Sequence, residues 1–465
     1  MDEFEVVVIG GGPGGYPAAI AAARRGAKTA LVEAGPLGGT CLNWGCIPTK
    51  TLIAGAELVE QIRHAEALGI RVGDIAPDYG AMVDRKDRVV GELNRGVATL
   101  LKSNGVTVLA GAASFESRRQ LRVRRADGAE TRVRAAKTII ATGSASIMPG
   151  MLPKSPRVVD SRGFLALREL PKRLLVMGGG YIGCELACLA AALGAEVTLV
   201  ELLDDILLLL DPDARKEVRQ RMENDLKIRM LTGRPLESAT DSGRDIEAAV
   251  GGDRISADLL LAAVGRKSYT EGLHPERAGV ELDERGCIRV DGRNRTSAAN
   301  IYAVGDVNGI LQLAHAATSQ GLIAAEDATG GRPAPNEMAV PGVIFTMPEV
   351  AVVGWTEEAA RKAGRAVQVG RFQFAALGKA KAAGRPGGFV KWLADAETDQ
   401  LLGAQAVGAH ATELIAEATV AIRAQLTAGE LGRTIHAHPT FSEAWMEAAH
   451  AIHGGAIHLP PPRRR

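Results

Sequence analysis

Two cysteines five positions apart, Cys41 and Cys46 in "GGTCLNWGCIPTK" (38–50), stand in a chain of 465 residues that holds only five cysteines. Neighbouring thiols can hold a metal, staple a fold or cycle between dithiol and disulfide. No companion ligands at convincing spacing point to zinc, so no metal is expected. A purely structural bridge is disfavoured in a reducing compartment, which leaves a redox pair, with an inert buried thiol pair as the plain alternative. In an ideal helix, residues i and i+5 have Cα atoms about 8 to 9 Å apart, beyond the ~6.8 Å a disulfide usually spans. A bridge therefore requires a helix that is distorted or only beginning here, and Gly39, Thr40 and Gly45 supply the backbone freedom. A bridge over so short and bent a segment is expected to be readily reduced. Lys50, four residues after Cys46, brings positive charge to it.

The elements that must position this pair are legible on either side of it. An apolar run (Val6 to Ile9), a G-x-G-x-x-G (Gly10, Gly12, Gly15), an Ala-rich helical pattern and a second apolar run ending at Glu33 make one β-α-β unit. The same order recurs from Arg173, with Gly178, Gly180, Gly183 and Glu201, and the glycine-to-acid offset is 23 residues in both copies. The first glycine makes the tight turn, the second lets backbone approach a pyrophosphate, and the third lets helix and strand pack closely. Each unit should seat a pyrophosphate on its helix N-terminus and a ribose hydroxyl on its glutamate. After Glu201 come Leu202, Leu203, Asp204 and Asp205, with no arginine for a 2'-phosphate, so the second site is expected to prefer NAD over NADP.

Further runs ending in glycine turns, "KTIIATGSAS" (137–146), "LLLAAVGRK" (259–267) and "NIYAVGDVNG" (300–309), are expected to complete the two sheets. Beyond about Pro341 an alternating strand pattern (387–408) and a helical pattern from Thr412 to Leu426 predict a third, α+β domain. The "LPPPRRR" ending reads as a solvated tail. Length agrees with about three domains of ~150 residues. Lys plus Arg (55) nearly balances Asp plus Glu (54), which leaves no electrostatic footprint for nucleic acid or an anionic membrane. No apolar run is long enough to span a bilayer, and the acidic start, Asp2 and Glu3, is unlike a signal or transit peptide, so a cytoplasmic location is expected.

Taken in order, "GGGPGGYPAA", "GGTCLNWGCIPTK", "ATGS", "GGGYIGCELA", "AVGR", "YAVGDV", "LAHAA", "TMPEVAVVGWTE" and "HAHPTFSEA" cover nearly the whole chain. By these motifs the sequence resembles the flavin-dependent pyridine nucleotide-disulfide oxidoreductases, and within them the branch that reoxidises dihydrolipoamide. The resemblance implies an α/β fold: an FAD-binding domain (1–145, completed by 268–342), an NAD-binding domain (146–267) and a C-terminal α+β dimerisation domain (343–465). It implies non-covalent FAD bound by the first unit, with Ala34, Gly14, Gly39, Thr40, Lys50, Ala113, Ala141, Thr142, Gly143, Asp306, Ala314 and His315 around it. NAD is then bound by the second unit, with Tyr181, Ile182, Glu185 and Gly265. Cys41 would exchange with substrate, and Cys46 would lie against the isoalloxazine as a charge-transfer thiolate. Lys50 and Glu185 would pair beside flavin N5, and Asp306 would contact the ribityl chain.

His438 precedes Pro439 and has Glu443 five residues on, able to orient the ring and stabilise an imidazolium. By resemblance this pair is the base and reaches across a homodimer to the other subunit's disulfide, while His436 is structural. The remaining histidines read as ordinary polar residues, and Cys184 and Cys188 as small buried helix residues. A lipoyl-bearing acyltransferase or carrier protein of a 2-oxo acid dehydrogenase or glycine cleavage complex is the implied partner; no lipoyl-bearing segment precedes Met1, so the carrier is expected to be another protein. Two other readings stand beside this one: an NAD(P)H-dependent reductase of another disulfide, and a docking component with reduced activity. Departures from the commonest pattern are Trp44, Thr49, Lys267-Ser268-Tyr269, Gln320, Phe345 and Lys379. None removes a named catalytic group.

Overall fold

The computed structural model describes residues 1–334 and 339–460, so the tail reading at 461–465 lies outside the described residues. The apolar run Val6 to Ile9 forms the centre of the strand Asp2–Ile9. It pairs in parallel with Thr29–Glu33 on one side and with Glu130–Ile140 on the other. Val6 and Val8 pack against Ala18, Ala19 and Ala22 of the helix Gly15–Arg24, while Val7 and Ile9 point into a second cluster with Val280 and Ile288. Burial on both faces is why the strand reads as continuous rather than alternating. Thr107–Ala110 extends the sheet beyond Thr29–Glu33. On the far side Ile301–Ala303 pairs with Thr138 to Ile140, so this domain is closed by chain that returns after an intervening domain.

The intervening domain repeats the design. Its parallel strands run in the order Arg229–Thr232, Glu196–Glu201, Arg173–Met177, Leu259–Ala262, Val158–Val159. Leu174 and Val176 join the cluster of the helix Tyr181–Ala192, while Leu175 faces an antiparallel sheet of Leu236–Asp241, Ile246–Val250 and Asp253–Ala257. The chain enters and leaves this domain through a two-stranded ladder, Ser144–Ser146 against Arg266–Ser268.

The third domain is an antiparallel sheet in the order Gly342–Ile344, Val350–Gly354, Leu401–Gly408, Gly388–Asp395, Val367–Gln373. The helices Ala411–Arg423 and Glu443–Ile452 pack on it, and Trp392 and Trp445 meet at 4.7 Å between ring centres. The expected alternation of exposure along 387–408 is absent, because both central strands are buried on both faces. Lys391 shows why. Its ammonium is buried against the second domain, where it donates to Asp211 (2.9 Å), Asp213 (2.8 Å) and Glu357 (2.8 Å), and Gln405 also donates to Asp211.

Deleting one partner of such a cluster leaves buried charge uncompensated, which typically costs about 3–5 kcal/mol. Lys391→Met is therefore expected to lower the unfolding free energy by about that much, read as a lower denaturant midpoint. An unchanged midpoint would show that the cluster contributes nothing to stability. Among the described residues no helix is long and apolar enough to cross a membrane.

Candidate active site

The cysteine pair sits at a break between two helices. Gly39–Trp44 ends at Gly45, whose φ of −138° and ψ of −111° leave helical space, and an 18-residue helix, Cys46–Arg63, begins at the next residue. The break draws the two Cα atoms to 4.6 Å, and Cys41 and Cys46 are joined as a disulfide. A side chain at Gly45 would place its Cβ 2.9 Å from the Thr40 carbonyl oxygen, so the kink favours glycine. The two sulfurs are unequal. Cys46 opens the long helix, where unpaired N–H groups and the dipole favour a thiolate, and Lys50 stands one turn further on. Trp44 is held by an Nε1–H bond to Thr40 Oγ1 (3.3 Å) and by the Arg162 guanidinium 4.2 Å above its ring.

Lys50 and Glu185 meet as the resemblance implies, with Nζ to carboxylate distances of 2.8 and 3.0 Å. Glu185 is only 4% exposed, so its carboxylate lies inside the fold and not on the surface. Its Oε1 also accepts the Phe345 N–H at 2.9 Å. Cys184 and Cys188, on the same helix, are fully buried; burial pushes the Cys188 thiol up to about 12 and the Cys184 thiol well above its ordinary value. Neither is a thiolate at neutral pH, in keeping with a packing role.

The two glycine loops are built alike. Gly10 and Gly178 have φ of +104° and +113°, and a Cβ on Gly15 or Gly183 would fall within 2.0 Å of the carbonyl oxygen of Gly10 or Gly178. By contrast, a Cβ on Gly12 would find nothing closer than Gly39 Cα at 3.7 Å, and one on Gly180 would meet nothing within 4 Å. Open space over the middle glycine, above a helix N-terminus with no side-chain cap, fits a pyrophosphate in both loops. Glu33 accepts the N–H groups of Gly11 (2.6 Å) and Gly35 (2.7 Å), and Glu201 those of Gly179 (2.6 Å) and Leu203 (2.8 Å). Each carboxylate keeps lone pairs for a ribose hydroxyl. Ala34 follows Glu33; Gly39 and Thr40 lie beside the first loop, and Ala113 lies two residues after Gly111, whose N–H donates to the Glu33 carbonyl oxygen. Tyr181 and Ile182 open the helix after the second loop, and Gly265, with φ of +125°, precedes the ladder residue Arg266.

Asp306 lies in the short turn Gly305–Asn308. Its carboxylate accepts the Ser144 hydroxyl, which accepts from Arg266 Nε (2.7 Å), while Ser268 donates to the Asp306 carbonyl oxygen (2.9 Å). Gln320, 3% exposed, braces the turn by accepting from the Gly305 N–H and from Asn308. Ala141, Thr142 and Gly143 follow the strand Glu130–Ile140, with Thr142 donating to the Tyr269 carbonyl oxygen, and Ala314 and His315 begin the helix Ala314–Ala328. Nothing in the sequence alone marks Ser144, Arg266, Ser268 and Phe345 as site residues. "ATGS" and "AVGR" contain two of them, but only the fold shows that they meet.

His438 and Glu443 pair at 2.8 Å, and Glu443 also accepts the Thr440 N–H at 2.7 Å. Burial alone would push the Glu443 carboxyl up, but the Thr440 N–H and His438 hold it below its ordinary value, so it stays ionised beside the ring. The His438 side chain is 78% exposed, and neighbouring Ile435 is 95% exposed. Among the described residues no hydrogen bond or ion pair links this pair to Cys41 or Cys46. His436, two residues earlier, is nearly buried and bonded to Glu417 at 2.6 Å, an interaction that raises its pKa despite burial.

A group whose folded pKa is raised contributes stability that is complete below its unfolded value, about 6.5, and lost as pH rises through the folded value. The thermal midpoint should therefore fall above about pH 6.5, and His436→Gln should flatten that slope. An identical slope in the variant would remove His436 as its source.

The sequence matches the family described as pyridine nucleotide-disulphide oxidoreductase over residues 4–321 and that family's dimerisation domain over 340–449. The chain belongs to this family. Relatives of the same length include the dihydrolipoyl dehydrogenases of Thermus scotoductus (46% identical, 99% of each chain) and Chlamydia muridarum (43%, 100% of each chain). Among solved structures, LpdA from Mycobacterium tuberculosis superposes with a TM-score of 0.90 (28% identical, covering 97% of this chain and 99% of that one). The HOCl-induced flavoprotein disulfide reductase RclA from Escherichia coli gives 0.88 (31% identical, covering 97% and 99%). Membership accounts for the two dinucleotide loops, since the family implies FAD and NAD binding, and for the third domain as a dimerisation module.

Proposed function

We propose that the chain is a dihydrolipoyl dehydrogenase that oxidises a dihydrolipoyl group carried by another protein and reduces NAD. The observation that carries this reading is the Cys41–Cys46 disulfide at the Gly45 break, with Cys46 opening a helix and Lys50–Glu185 behind it. Full-length identity of 43–46% to proteins of that name supports the substrate. His438 of one subunit, its ring oriented by Glu443, takes the proton from one substrate thiol. The thiolate attacks Cys41, the Cys41–Cys46 bond breaks, and Cys46 leaves as a thiolate stabilised by its helix N-terminus and Lys50. The second substrate thiol then attacks the mixed disulfide, forming the lipoyl disulfide and releasing Cys41 as a thiol. FAD, held by the first glycine loop and Glu33, would supply the two-electron chemistry that links the reduced cysteines to NAD. Overall, dithiol and NAD+ give disulfide, NADH and one proton. Asp306, held by Ser144 and Arg266, would contact the flavin, while Lys50, paired with Glu185, stands one helical turn from Cys46.

The exposure of His438, and the family's dimerisation domain on which it stands, support a homodimer in which each base serves the other subunit's disulfide. Glu201, followed by two leucines and two aspartates, supports NAD: a 2'-phosphate would meet a carboxylate, and like-charge contact costs several kcal/mol, about 100-fold or more in specificity. The likeness to RclA favours a second reading, reduction of another disulfide with NAD(P)H. Steady-state rates with lipoamide and glutathione disulfide, each with NADH and NADPH, separate the two. Lipoamide with NADH is expected to exceed every other combination by about 100-fold in kcat/KM. Preference for another disulfide would replace the first reading with the second.

A further inference from the structure

We infer that Phe345 is a positioning residue for the Lys50–Glu185 pair, holding the carboxylate through its backbone N–H and the ammonium through the face of its ring. The inference rests on the reading of that pair given above. Three domains converge at this point: Lys50 comes from the helix that Cys46 opens, Glu185 from the helix after the second glycine loop, and Phe345 from the start of the third domain. Glu185 is almost fully buried, and a carboxylate in that position is tolerated only when paired and hydrogen-bonded. Its Oε1 has two donors, Lys50 at 3.0 Å and the Phe345 N–H at 2.9 Å, and its Oε2 has Lys50 at 2.8 Å. Anchored from both sides, the carboxylate is a fixed point.

Lys50 is not fixed by its carboxylate alone. Its side chain is 30% exposed and carries four rotatable bonds, so a single ion pair leaves the ammonium room to swing toward solvent. The Phe345 ring closes that freedom: Lys50 Nζ lies 4.5 Å from its centroid, within the range in which a cation is attracted to an aromatic face. The ring is itself held in place. Phe345 directly follows the strand Gly342–Ile344, and the next residue, Thr346, is 1% exposed and donates its hydroxyl to the Pro348 carbonyl oxygen at 2.7 Å. Phe345 thus transmits the placement of the third domain to a charge one helical turn from Cys46.

The contact uses the ring face and the backbone N–H, so a tyrosine would serve equally and an aliphatic residue would keep only the N–H. With an aliphatic residue the ammonium is less well held near Cys46, and the Cys46 thiolate loses part of its stabilisation. A cation–π contact at a half-exposed site corresponds to an upward shift of about half a pH unit in the thiolate's titration.

The test uses the flavin-loaded full chain, reduced anaerobically with one equivalent of dithionite, with the thiolate-to-flavin charge-transfer absorbance followed against pH. Phe345→Leu and Phe345→Met are both expected to move its midpoint up by about half a unit, with Phe345→Tyr matching the parent and Lys50→Ala moving it further. Thermal midpoints and flavin content verify folding, and two aliphatic variants guard against one failing to fold. If Lys50→Ala shifts the midpoint and both aliphatic variants titrate like the parent, Phe345 does not position the ammonium and the inference is overturned. If Lys50→Ala also leaves the midpoint in place, the reading of the Lys50–Glu185 pair falls, and the inference falls with it.

Discussion

Cys46→Ser is expected to lower dihydrolipoyl-dependent NADH formation by about ten-thousand-fold or more while leaving the fold and the bound flavin intact. The expectation follows from what the two sulfurs do. Exchange needs a disulfide to open and a thiolate to leave, and a serine hydroxyl offers neither, so the whole reaction is lost rather than slowed. Losing an essential nucleophile typically costs a factor near a million, with a residue of activity from binding alone. The site around Cys46 does not depend on its sulfur: the break at Gly45, the Lys50–Glu185 pair and the Thr49 N–H bond to Gly45 all remain. Flavin absorbance, stoichiometry and thermal midpoint should therefore match the parent. Cys41→Ser should be as inactive but spectroscopically different, because it leaves a single permanent thiol at the helix N-terminus beside Lys50. Substantial turnover in either variant would remove the disulfide from the reaction.

His438→Gln should lower kcat by about a hundred- to ten-thousand-fold, the usual contribution of a positioned general base. Glu443→Gln should have a smaller effect, since it keeps the Thr440 contact but weakens stabilisation of the imidazolium. Because His438 is exposed on the third domain and unconnected to its own disulfide among the described residues, the two defects should complement each other. Co-expressing Cys46→Ser and His438→Gln chains with different tags allows the mixed dimer to be purified. A base acting across the interface gives that dimer one complete site, with about half the parental rate. A base acting within its own chain gives no complete site and no recovery above the two homodimers, which would contradict the proposed arrangement.

Apart from the Lys50–Glu185 pair, which the family resemblance implies across 135 residues, the parts of this site legible in sequence are those whose partners lie close along the chain. Cys41, Gly45, Cys46 and Lys50 span ten residues, each glycine loop reaches its glutamate in 23, and His438 finds Glu443 in five. Backbone chemistry alone constrains such spacings: glycine at the kink, glycine where strand and helix nearly touch, an acid at the end of the second strand. Contacts between distant segments carry no such period. Phe345 meets Glu185 across 160 residues, Ser144 meets Asp306 across 162, and Lys391 meets Asp211 across 180. The last contact also explains the failed alternation in the third domain: Lys391 points to a face that a lone antiparallel sheet would expose but that the second domain covers. Trp44, unusual between two redox cysteines, is likewise explained only by the fold, which sets Arg162 over its ring.

The central claim is that electrons from a dihydrolipoyl group enter through Cys41–Cys46 and leave as NADH. It is tested most directly by mixing the flavin-loaded protein with free dihydrolipoamide and NAD and following absorbance at the NADH band, with Cys46→Ser as control. Steady NADH formation that the control lacks is the expected result. A parent protein that holds its flavin in full yet forms no NADH from dihydrolipoamide would contradict it.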